Sequence, residues 1–274
     1  MALQPAAGER LIDEGRGAAL VFLHHFGGSG SGWAAVIDRL SYRFRCIAPD
    51  LPGFGTARHS GPCTVAASAQ RVAALVERLG LADYLFVGHS MGGKIALAVA
   101  ARRPPGLAGL VLLAPSPPTP EPIPEADRAH LLASWGNREA MVALVDRITV
   151  RPLSRSDRER QVADLLGTSR ASWEAWLHSG SREDIGASLE RITVPMTIVS
   201  GDGDRNITAA VLRRELLQRA PTASMEMIAG AGHLLPVEAR DEVAAIIERA
   251  HREPALTGAD PIGNSGLFAG NLRS

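Results

Sequence analysis

The chain has 274 residues, 46% of them hydrophobic and 21% charged, a balance that excludes a disordered protein and is sufficient for a well-buried core. Its 29 basic and 29 acidic residues cancel, so no overall field draws it to nucleic acid or to an anionic membrane surface, and recognition must be local. No apolar run reaches the roughly 18 residues that cross a bilayer, and two cysteines without C-x-x-C spacing, Cys46 and Cys63, do not make a disulfide framework.

In chain order, residues 1–10 have neither the basic start nor the apolar stretch of a secretory signal, so a cytoplasmic location is expected. Short, almost continuously apolar runs follow at 18–24, 44–48, 84–87, 109–114, 196–200 and 225–228. Runs of this kind, without apolar-polar alternation, are what strands covered by helices on both faces require. The amphipathic stretches 65–79, 94–103 and 238–252 supply crossover helices, so the fold class is α/β with a mainly parallel, doubly wound sheet. The alternation breaks at 115–195, where a proline-rich entry (115–124) leads into helical segments without a strand, the pattern of an inserted cap. The expected organisation is therefore a core of 1–114 and 196–253, a helical cap of 115–195 and a loose Gly-, Asn- and Ser-rich tail of 254–274. Trp135, Trp173 and Trp176 lie in the cap, where they either line a substrate pocket or join the cap helices, two uses that need the same residues.

The residues with chemical promise begin at Gly88-His89-Ser90-Met91-Gly92, set directly after one strand run and before a helical one. A sharp strand-to-helix turn lifts Ser90 out of the sheet, and the close approach of neighbouring backbone leaves room only for glycine on either side. A serine hydroxyl needs a base, and His233, in Gly230-Ala231-Gly232-His233 after the last strand run, lies at the carboxyl edge where open parallel sheets build sites. The base needs a carboxylate to fix its tautomer. Asp202 and Asp204 both follow the fifth run; Asp204 is the better placed to reach His233, with Asp202 bracing the turn. His24 and His25 are adjacent on a strand and point to opposite faces, so no metal site is expected there.

Four further motifs carry a resemblance: Leu23-His24-His25-Phe26-Gly27-Gly28, Asp50-Leu51-Pro52-Gly53-Phe54-Gly55, Gly201-x-x-Asp204 and Gly232-His233. With the Ser90 elbow they make the chain resemble the α/β-hydrolase superfamily, specifically its cap-bearing esterase-type members, over roughly residues 18–252. The resemblance implies a Ser90, Asp204, His233 triad, an oxyanion hole from the backbone N–H groups of Met91 and Phe26, and no cofactor. His25 stands where such members usually have glycine, and either lines the site or packs within its loop. The implied reaction is hydrolysis of a carboxylic ester or related acyl bond in a partly apolar small molecule. Thioester, lactone, amide or carbon-carbon hydrolysis, cofactor-free haloperoxidase chemistry, or non-catalytic ligand binding remain open on the same fold.

Overall fold

The computed structural model describes residues 10–59, 61 and 64–252; the expected tail of 254–274, residues 1–9 and Cys63 lie outside the described residues. Seven strands form one sheet: β1 (Leu11–Glu14), β2 (Ala19–Leu23), β3 (Arg45–Pro49), β4 (Tyr84–His89), β5 (Leu107–Leu113), β6 (Met196–Gly201) and β7 (Ala223–Ile228). Their order is β1-β3-β2-β4-β5-β6-β7, parallel throughout except where β1 pairs with β3.

The apolar runs are continuous because each central strand serves two cores. In β2, Ala19, Val21 and Leu23 face one helix layer while Leu20 and Phe22 face the other. The first layer holds α2 (Val65–Arg78), α3 (Met91–Ala100) and the short α8 (Ala209–Leu212); the second holds α1 (Ala34–Leu40) and α10 (Arg240–Arg252). The sheet is thus the doubly wound one that the sequence implies. β1 has no counterpart among the apolar runs, because it is a four-residue edge strand half open to solvent. Its polar face is anchored by two Arg45–Asp13 hydrogen bonds of 2.8 and 2.7 Å.

Between β5 and β6 the chain forms four α-helices, α4 (Glu125–Ala133), α5 (Arg138–Ile148), α6 (Arg155–Gly167) and α7 (Arg170–His178), and no strand among the described residues. Asn137, Ser154 and Ser169 cap α5, α6 and α7 by accepting from the backbone N–H groups of Ala140, Asp157 and Ser172. Met141, Val145, Val162, Leu165, Trp173 and Leu177 pack together into a third core, completed by Leu234 from the loop after β7. No helix among the described residues is long and apolar enough to cross a membrane.

Candidate active site

The turn from β4 to α3 fixes Ser90 at φ 51° and ψ −116°, a conformation that side-chain-bearing residues rarely adopt. Backbone bonds on both sides hold it: Ser90 N–H donates to Leu113 C=O at 3.0 Å, and Ser90 C=O accepts from the N–H groups of Gly93 and Ser116, each at 2.9 Å. A Cβ on Gly88 would lie 2.7 Å from the Gly92 carbonyl oxygen, and one on Gly92 would collide with the Leu23 carbonyl. The Ser90 side chain does not cap α3. Its hydroxyl lies instead 3.0 Å from His233 Nε2.

His233 Nδ1 is 2.7 Å from Asp204 Oδ2, so an Nδ1–H donor leaves the Nε2 lone pair facing the Ser90 hydroxyl. The other Asp204 oxygen accepts from the backbone N–H groups of Asn206 and Ile207 at 2.8 and 3.1 Å. Burial disfavours the His233 cation, but the Asp204 charge and hydrogen bond, with Glu121 and Glu238 behind them, raise its pKa above the ordinary histidine value. Asp202 is elsewhere: its Oδ1 accepts from Gly230 N–H at 2.7 Å and braces the turn opposite.

Three other histidines stand beside this one. His89 Nε2–H donates to the His233 carbonyl at 2.8 Å, tying the loop of His233 to β4. His24 accepts from Leu51 N–H at 3.0 Å and bonds the His25 carbonyl at 2.8 Å. His25 both packs into its loop and lines the cavity: Nδ1–H donates to the Phe26 carbonyl at 2.8 Å, and the ring lies 5.0 Å from that of His89. Burial, reinforced by the neighbouring histidines, pushes the His25 pKa down to about 3 and that of His89 well below the ordinary value. A neutral His25 with Nδ1–H so engaged leaves Nε2 as an acceptor, so the Gln161 side chain 3.1 Å away must turn its NH₂ toward it. No group of three or more His, Cys, Asp or Glu among the described residues is arranged to hold a metal ion.

Glu238 is a structural carboxylate without a sequence signature. Its Oε2 accepts from the N–H groups of Val150, Arg151 and Gly232 at 2.8, 2.9 and 2.9 Å, and its Oε1 from Leu234 N–H at 2.9 Å. It therefore fastens the loop bearing His233 to the end of α5, and His233 N–H adds a bond to the Ile148 carbonyl at 2.8 Å.

Ser90 and His233 open on a cavity of about 440 Å³, roofed by residues of α4, α5 and α6. Of the three tryptophans in this region, Trp176 lines the cavity; Trp135 and Trp173 are not among its lining residues. Their indole N–H groups donate instead to the carbonyls of Thr168 (3.0 Å) and Leu131 (2.9 Å), so these two join helices to one another. The Phe26 ring packs 4.7 Å from that of Trp173. Glu121, within the proline-rich entry, also lines the cavity, and its carboxyl accepts from the hydroxyl of buried Ser116.

The model of the alpha/beta hydrolase family matches residues 20–246. The pimeloyl-[acyl-carrier protein] methyl ester esterase of Sodalis glossinidius is 39% identical over 98 residues, only 36% of this chain and 37% of that one. The enzyme of the same name from Nitrosomonas europaea is 27% identical across 80% of this chain and 90% of its own. The magnesium-chelatase 30 kDa subunit of Rhodobacter capsulatus is 29% identical across 86% and 88%. Among solved structures, a thermophilic esterase from Thermogutta terrifontis superposes with a TM-score of 0.73 at 25% identity, covering 89% of this chain and 93% of that one.

Proposed function

Since the chain belongs to the α/β-hydrolase family and is an enzyme, we propose that it hydrolyses a carboxylic ester through an acyl-enzyme formed on Ser90. The observation that carries this reading is the continuous hydrogen-bonded line from Ser90 Oγ through His233 to Asp204, at 3.0 and 2.7 Å, beneath a cavity large enough for a small acyl compound. The relatives named as methyl ester esterases support the choice of bond.

In the proposed reaction His233 Nε2 takes the Ser90 proton as Oγ attacks the ester carbon, and Asp204 stabilises the imidazolium. The backbone N–H groups of Met91, at the start of α3, and of Phe26, after β2, receive the developing oxyanion. His25 assists indirectly, because its bond to the Phe26 carbonyl steadies the loop that carries the second donor. His233 then gives its proton to the departing alcohol, and a water activated by the same nitrogen releases the acid and restores Ser90.

The test is hydrolysis of p-nitrophenyl esters of increasing acyl length, compared between wild type and Ser90→Ala. Turnover is expected to drop by at least about 10³-fold in the variant. A fluorophosphonate is expected to label Ser90 in the wild type. Retained turnover in Ser90→Ala, or labelling at another residue, would remove Ser90 from the proposed role.

A further inference from the structure

Glu121 takes no part in the reaction outlined above, yet it is a carboxyl in the wall of the same cavity as Ser90 and His233. Its place is built from several sides. Glu121 N–H donates to the Ser181 carbonyl at 2.7 Å, and its Oε1 accepts from Ser116 Oγ. Ser116 in turn donates its backbone N–H to the Ser90 carbonyl at 2.9 Å, so the carboxyl and the candidate nucleophile are set by one buried serine.

Its second oxygen, Oε2, has no hydrogen-bond partner among the described residues. The groups of basic character whose charge acts on Glu121 are Lys94, Arg128 and His233, and none donates a hydrogen bond to it among the described residues. Lys94 Nζ donates to the carbonyls of Thr119 and Glu183 at 3.3 and 2.5 Å. The Arg128 guanidinium uses Nη1 to bond the Leu177 carbonyl and, at 2.8 Å, Ser181 Oγ, while its buried Nε makes no hydrogen bond among the described residues and lies 3.6 Å from Glu125 Oε1. His233 is engaged by Asp204 and Ser90. Lys94 and Arg128 offset the charge of Glu121 while leaving half of its accepting capacity unfilled. A site in that condition calls for a donor more than for another charge.

We propose that Glu121 is a specificity-determining residue whose free oxygen accepts a hydrogen bond from a neutral donor, a hydroxyl or an amide N–H, carried by the ester that Ser90 attacks. The proposal rests on the esterase reading of the site. It narrows the substrate class from apolar esters to those with a donor on the acyl or the alcohol part. Burial raises the Glu121 pKa while Ser116, Lys94, His233 and Arg128 oppose it, and the preference belongs to the pH range in which the carboxyl is ionised and Oε2 accepts.

The experiment uses two ester pairs matched in size, each exchanging a hydroxyl for a methyl: 2-hydroxyethyl butyrate with propyl butyrate, and propyl 3-hydroxybutyrate with propyl 3-methylbutyrate. Rates by pH-stat give kcat/KM for wild type, Glu121→Gln and Glu121→Leu. In the wild type the hydroxyl member of at least one pair is expected to win by about 10- to 100-fold, the range for a hydrogen bond to a charged group. Glu121→Gln keeps an acceptor and part of the preference; Glu121→Leu abolishes or reverses it, with Glu121→Met as the alternative apolar variant should the leucine protein not fold. Equal rates within both pairs in the wild type, or an undiminished preference in the apolar variant, would overturn the proposal. Binding of the same pairs to Ser90→Ala, measured by calorimetry, separates the two readings. Discrimination in Kd without hydrolysis by the wild type would sink the esterase reading alone, and hydrolysis without discrimination would sink the role of Glu121 alone.

Discussion

At the scale of single residues, the informative contrast is among four buried histidines. Burial lowers the pKa of His24, burial with repulsion from neighbouring histidines lowers those of His25 and His89, and only His233, joined to Asp204, is held above the ordinary value near 6.5. A general base must be unprotonated, so kcat/KM is expected to rise with pH through a limb above about 6.5. Asp204→Asn removes the charge that raises His233, so the limb should move to lower pH while kcat falls by about 10⁴-fold. A limb unmoved by that substitution would show that His233 is not the titrating base. Ser90, His233 and Asp204 were legible in the sequence because each sits at the carboxyl end of a strand beside glycines that mark a tight turn. Glu121 was not: it lies in a proline-rich stretch that reads as a connection, and only tertiary folding brings it to Ser90. For Trp135, Trp173 and Trp176 the sequence supplied the residue types but not the directions of the indole N–H groups, which are what separate lining from joining.

At the scale of elements, Glu238 shows how a single carboxylate can join two. The sequence places it at the start of one helix running to 252, where acidic residues are favoured. Instead the helical path breaks after it: α9 (Leu235–Glu238) ends, Ala239 takes a non-helical φ of −138°, and α10 begins at Arg240. The break lets the carboxylate turn back onto four backbone N–H groups, two at the end of α5 and two beside His233. Glu238→Ala would strand those donors. A loss on the order of 3 kcal/mol is expected, lowering Tm by roughly 5–10 °C. Activity should fall further than stability explains, because the loop of His233 loosens; an unchanged melting curve would show that the donors find other partners. The strands themselves were well marked, since burial on both faces leaves a continuous apolar run, while β1 escaped because an edge strand has no such requirement.

At the scale of the molecule, the segment between β5 and β6 is bound at several separate places to the helices and loops that flank the sheet. Lys94 on α3 holds Thr119 and Glu183 near the two ends of the segment, Ser29 donates to Asp164 at 2.9 Å, and Arg240 pairs with Asp157 at 3.0 Å. Unfolding by urea is therefore expected to be one transition, with tryptophan fluorescence, weighted toward the helical segment, coinciding with far-ultraviolet circular dichroism. A fluorescence change at lower urea would mean that the segment opens by itself. Lys94 carries one more implication, for it is the only lysine in the chain and it is fully buried. No lysine amine is offered to acylating reagents, to amine cross-linkers or to enzymes that modify lysine, and the side-chain cations at the surface are guanidinium groups that stay charged in strongly alkaline solution. Immobilising this protein on an amine-coupling support would leave its lysine chemistry untouched until the fold itself gave way.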